Sequence, residues 1–150
     1  MGAPLTKQQV LSTIHAVLMA NTGVTNGLQA YGSGKAGFTY MAPENISGNR
    51  LVLQNRSPED IEYIGQNQIV MQTQWIDVEL MSPEYIQPTD WSILSSVNSL
   101  LHATRITSIS GYLIDIIYES ALPTLFQDVN TVRFQVEGQR FKVIIRPEDF

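Results

Sequence analysis

Cysteine is missing from this 150-residue chain, and histidine occurs only as His15 and His102. Disulfides and thiolate metal centres are therefore excluded, and two imidazoles do not lead one to expect a His-rich metal site. Charge is also scarce, with Asp, Glu, Lys and Arg making up 15% of the residues against the usual quarter. Nine basic residues face fourteen acidic ones, a net charge of −5. That balance argues against a general binder of phosphate backbones, which needs a basic face. Four of the basic residues, Arg133, Arg140, Lys142 and Arg146, fall close together near the end and read as solvent-facing charges along two strands. No apolar run is long enough to span a bilayer. The first residues lack the basic-then-apolar pattern of a signal peptide, so no membrane association is expected and synthesis in a cytoplasm is.

What the chain does have is apolar content, 43% over 150 residues, enough for one domain with a real core. The low charge fits a surface that partly faces other protein, or one merely rich in Gln, Asn and Ser. Composition leaves both open.

The organising stretch runs from Gln68 to Tyr118. A strand is predicted over Gln68 to Leu80, a helix over Asp90 to Ala103 with Thr89 as its cap, and a strand over Tyr112 to Tyr118. One face of the first strand carries Val70, Gln72, Gln74, Ile76, Val78 and Leu80. The other carries Ile69, Met71, Thr73, Trp75, Asp77 and Glu79. Neither face is cleanly polar, as the solvent side of a half-buried strand would be, so Met71 and Trp75 are candidates to meet another subunit.

Upstream, Thr6 to Gln9 fits a capping box, and Val10, Leu11, Ile14, Val17 and Leu18 recur at helical spacing, predicting a helix over Lys7 to Ala20 with His15 at the surface. Asn21 to Ser47 reads as a glycine-rich loop, with Tyr31, Phe38, Tyr40 and Met41 as candidate partner contacts. Arg50 to Gln54 reads as a strand and Glu59 to Glu62 as an acidic helical turn. Downstream, Pro123 is expected to end the Tyr112 strand. A final hairpin is expected over Thr131 to Val136 and Arg140 to Arg146, turning at Glu137-Gly138. The predicted class is α+β, one mostly antiparallel sheet with two helices packed on it.

No motif announces chemistry. Gly32 to Gly37 matches the glycine spacing of dinucleotide sites, but that pattern works only before a helix, and Phe38 to Pro43 is no helix. Asp77 with Glu79, and Asp115 with Glu119, would make a four-carboxylate site only if their strands were neighbours. No base and nucleophile stand together. Neither an enzyme nor a cofactor is expected.

The stretch from residue 68 to 146 resembles the tail-completion or tail-terminator proteins of tailed bacteriophages. The likeness rests on order. A long strand ends in an acidic alternation and a Tyr (Trp75 to Tyr85), a helix closes in Ser99-Leu-Leu-His102, and Gly111 opens further strands to Arg146. The resemblance implies one tail-terminator-like domain over 1–150 in a hexameric ring. Such a ring caps the tail tube, halts its polymerisation and joins it to the head-side connector or stopper protein of the virion neck. DNA would pass through without specific binding, past lumen-facing acids drawn from Glu59, Asp60, Glu62, Asp77 and Glu79. Two alternatives stand beside it: another neck or baseplate adaptor, monomeric until assembled, and a small metal-dependent hydrolase.

Overall fold

Thr6 starts the fold as predicted. Its side chain accepts the Gln9 amide at 3.1 Å, and the Gln9 side chain takes the Thr6 amide at 2.8 Å. The helix that follows, α1 (Lys7–Met19), buries Val10, Leu11, Ile14 and Leu18. In the computed structural model, residues 5–42, 48–57, 61–64, 68–83, 91–129 and 131–148 are described, with the backbone alone for 61–64, 68–70, 91 and 108.

The expected glycine-rich loop is structured as far as Ala42, and residues 43–47 lie outside the described residues. It holds a four-residue helix, α2 (Thr22–Thr25), capped by the Asn21 side chain. A small antiparallel pair follows, β1 (Ala30–Tyr31) and β2 (Gly34–Lys35), turning at Gly32 with φ +58°. Then β3 (Gly37–Thr39) joins the main sheet, parallel to β4 (Arg50–Asn55). Gly37 leaves room for the Met19 side chain, which would have to shift for a Cβ there, and its carbonyl is 2.9 Å from His15 Nε2. His15 is thus a half-buried tie between α1 and β3.

The acidic helical turn expected over Glu59 to Glu62 is not the observed form at its end. Residues 58–60 lie outside the described residues, and Ile61 opens a strand, β5 (Ile61–Ile64). It pairs with the start of β6 (Gln68–Pro83), the long central strand. Thr89 and Asp90 are not described; the second long helix is α3 (Trp91–Leu101). The segment after it, where the sequence predicts no element, forms β7 (Thr104–Ile109). Two strands complete the chain, β8 (Tyr112–Val129) and β9 (Val132–Pro147).

The seven-stranded sheet is ordered β3-β4-β6-β9-β8-β7, with β5 on β6. All pairings but β3 with β4 are antiparallel. The architecture is a curled sheet with three helices among the described residues, richer in strand than two helices on one sheet. The helices pack on one face, here the inner face. Val10, Leu11, Ile14 and Leu18 meet Ile76, Val78, Ile114, Ile116, Phe141 and Val143 there in one core.

Two sequence expectations fail in β8 and β9. Pro123 does not end β8, because a register shift between Leu122 and Leu125 accommodates it, and bulges are where a strand tolerates proline. Gly138 is not a turn but the middle of β9. A Cβ on it would lie 2.7 Å from Leu122 Cδ1 and 2.9 Å from the Val78 carbonyl oxygen. The turn joins Val129 to Val132 instead. Because β9 runs unbroken against β6, it serves two cores. Phe141, Val143 and Ile145 enter the inner face. Phe134 and Val136 enter a second cluster, with Val52 and Met81, on the outer face.

Candidate interaction surface

The outer face follows from the register. Trp75 lies opposite Lys142, Asp77 opposite Arg140, Glu79 opposite Gly138 and Met81 opposite Val136; directly paired residues point to the same side of an antiparallel sheet. On β8, Ile117 and Asp115 join that side opposite Lys142 and Ile144. No described helix covers it.

Three zones divide this face. At one end Met71, Trp75, Ile144, Lys142 and Arg146 are half-buried and Ile117 is exposed. Here apolar side chains and cations share an uncovered surface. The Trp75 indole N–H donates to Glu119 at 3.1 Å, and Arg105 holds Asp115 through two bonds of 2.7 and 3.2 Å.

In the middle sits an ion cluster. Arg140 donates to both Asp77 oxygens at 2.7 and 2.9 Å, and Arg56 stands 3.8 Å away on the same carboxylate. Asp77 is 3% exposed. The hydrogen bond to Asp77 raises the Arg140 pKa further above its ordinary value. Beside it, burial pushes the Glu79 carboxyl up from its ordinary value; Asp77 adds to the rise and Arg56 opposes it.

At the far end the sheet curls and Val129, Val132 and Ala42 pack on the second cluster. Arg50, 2% exposed, lays its guanidinium 4.3 Å from the Phe134 ring centroid, and burial lowers its pKa. A trough of about 380 Å³ opens here between Tyr40 and Met41 on one side and Gln127 to Val129 on the other. A smaller one of about 240 Å³ adjoins it, between Leu122, Leu125 and the Asp77–Arg140 pair, and Glu79 lines both.

The structure separates the residues singled out from the sequence into two places. Tyr31, Phe38, Tyr40 and Met41 gather by the β3 edge, where Tyr31 and Phe38 pack edge to face at 5.1 Å. Tyr31, Tyr40 and Met41 are exposed and Phe38 is half-buried. Met71 and Trp75 lie elsewhere, on the uncovered part of the outer face.

Among the acids, Glu59 and Asp60 lie outside the described residues, and only the backbone of Glu62 is described. Asp77, expected to face a lumen, is instead enclosed by Arg140; its alternation with Glu79 on β6 gave no sign of the arginine that β9 brings opposite. Glu79 alone of this pair keeps a half-open carboxylate. Asp77 and Glu79 do not join Asp115 and Glu119, because β9 runs between their strands and brings Arg140 and Lys142 with it. Among the described residues no group of three or more His, Asp or Glu is placed to hold a metal ion. The sequence reading missed Arg50, whose place was visible only as a cation beside Leu51-Val52-Leu53, and Leu125 and Phe126, which fell beyond the supposed end of β8.

No protein-family model matches the chain, and no curated protein matches it in sequence. Solved structures do. A chain from the virion of a native gene transfer agent particle superposes with a TM-score of 0.52 at 13% identity, over 86% of this chain and 97% of its own. The fold is one found in a virion. Another solved chain, known only by a serial designation, superposes with a TM-score of 0.59 at 9% identity, over 93% of this chain and 96% of its own. At such identities the likeness is one of fold, and it extends over nearly the whole length of all three chains. No described helix is long and apolar enough to cross a membrane.

Proposed function

We propose that this chain is a structural virion protein that assembles into a hexameric ring on the end of a phage tail tube. There it stops tube growth and joins the tail to the head-side connector. The observation that carries this reading is the nearly full-length fold likeness to a chain of a virion particle. Two features of the surface support it. The outer sheet face leaves half-buried Met71 and Trp75 and exposed Ile117 without a described covering layer, as a surface that meets other protein does. The acidic excess suits a channel that DNA traverses without sticking, since like charge repels the phosphate backbone.

The test is the absolute mass of the purified protein by light scattering over a concentration series. A discrete species of six chains is the expected result. A mass of one chain at every concentration would remove the self-assembling ring and leave a neck or baseplate adaptor that orders only on its partner.

A further inference from the structure

Strand β8 loses its outer neighbour part-way along. β7 pairs with it only as far as Ile116. One step further, the Tyr118 amide donates to His102 Nδ1 at 3.0 Å, so a side chain takes the place of a strand. From Glu119 to Val129 no described strand lies on that side. This is about 35 Å of open edge at roughly 3.3 Å per residue. From Ser120 to Gln127 it carries no charged residue, while Leu125 and Phe126 are 59% and 50% exposed. Soluble monomers guard such an edge with charges or a covering segment. Here only Pro123 and the two register shifts interrupt it.

Ile117 apart, the other large apolar side chains in the open among the described residues are Tyr31, Tyr40 and Met41, the last 81% exposed. Tyr40 and Met41 follow β3, Tyr31 lies in the separate β1–β2 pair, and Leu125 and Phe126 belong to β8. The curl of the sheet sets the two groups on facing rims of the outer-face trough, Tyr40 and Met41 on one side and Gln127 to Val129 on the other. A charge accompanies each. Asp128 follows the Leu125-Phe126 pair, and Lys35 stands in β2 next to the Gly34 that pairs with Tyr31. Neither side chain makes an ion pair among the described residues.

We propose that the open edge of β8 in one copy docks on the Tyr31–Tyr40–Met41 edge of a second copy, with Asp128 facing Lys35. The proposal rests on the ring reading above and supplies its subunit contact. Two different surfaces meet; made once between each pair of copies, the contact is heterologous and closes into a ring when the rotation closes, whereas made twice about a two-fold axis it stops at a dimer. Pairing of the β8 edge with itself would stop at two copies and leave the other apolar edge bare. Backbone pairing along an added strand provides affinity, and the apolar side chains and the charge pair fix the register.

The absence of cysteine makes single cysteines unambiguous handles. Leu125→Cys and Met41→Cys proteins, prepared separately and mixed, are treated with a flexible bis-maleimide and read on a denaturing gel. The mixture is expected to give a covalent dimer in several-fold higher yield than either variant alone. Adding Lys35→Asp to the Met41→Cys chain should cut that yield several-fold, and Asp128→Lys in the Leu125→Cys chain should restore it. Phe126→Cys with Tyr31→Cys is the second pair, should either first variant fold poorly. Self-linking of Leu125→Cys as efficient as the mixed reaction would overturn the heterologous contact, as would a mixed cross-link in a protein whose light-scattering mass stops at two chains. A discrete ring by light scattering with no mixed cross-link would overturn the contact and leave the ring standing. A mixture both monomeric and unlinked at every concentration would overturn both.

Discussion

Asp77 shows how a single residue is given its role by what the fold brings opposite it. On β6 it is one acid in an alternating strand, but β9 places Arg140 in register with it and the pair closes with two bonds of 2.7 and 2.9 Å. Replacing Asp77 by Asn leaves the Arg140 guanidinium, on a side chain 37% exposed, without its counter-charge. Arg140 retains some solvent, so the loss belongs at the low end for a broken buried pair, about 2–3 kcal/mol. A fall in the urea midpoint with an unchanged slope would register it. Asp115→Asn, which breaks the exposed pair with Arg105, is the control, expected to leave the midpoint where it was. Glu79 behaves oppositely. Its carboxyl is held above its ordinary value, first by burial and then by Asp77, so the folded chain takes up a proton that the unfolded chain has released. Its contribution is whole below the unfolded pKa and is lost as pH rises through the folded one. Glu79→Gln should therefore melt with the wild type near pH 4 and above it at pH 7. A constant gap between the two melting curves across that range would refute this account.

At the level of elements, the β8–β9 hairpin decides the shape of the sheet. Gly138 sits in the middle of β9 because Leu122 and the Val78 carbonyl leave no room for a Cβ. Gly138→Ala should destabilise by about 1–3 kcal/mol, as overpacking does. Adding Leu122→Ala should recover only part of that, since the Val78 carbonyl cannot swing aside. Full recovery in a double-mutant cycle would show that the backbone contact is not limiting. The same glycine explains where sequence reading stops. A glycine after Glu137 is a turn signal when only local spacing is visible, and nothing local reveals that another strand passes within 3 Å. Pro123 misled for a like reason, since the shift that accommodates it depends on how β9 pairs. β7 was hidden because Thr104 to Ile109 is short and polar, and only its pairing with β8 makes it a strand. Local determinants, by contrast, were legible. The Thr6–Gln9 capping box, the α1 stripe and the two faces of β6 stand as read. Of the candidate partner contacts among the glycines, Tyr31, Tyr40 and Met41 end exposed and Phe38 half-buried. The Leu125–Phe126 edge was lost once β8 was expected to stop at Pro123.

For the whole molecule the governing quantity is charge. Each chain carries −5, and six copies at −5 each carry −30, so general electrostatics opposes the ring that the edge contact would build. Screening changes that balance. The Debye length drops from about 30 Å at 0.01 M salt to about 10 Å at 0.1 M. That is shorter than the open β8 edge, so repulsion between whole subunits fades. The contact itself is largely apolar side chains and backbone pairing, which salt at this level does not weaken, and the Lys35–Asp128 pair is short-ranged. Assembly should therefore strengthen as salt rises from 0.01 to 0.1 M, with the midpoint of the light-scattering mass curve moving to lower protein concentration. Assembly that instead dissolves over the same range would mean that ion pairs dominate the interface. The uncovered outer face, where Lys142 and Arg146 flank Trp75 and Ile144, would then replace the two sheet edges as the surface that holds the copies together.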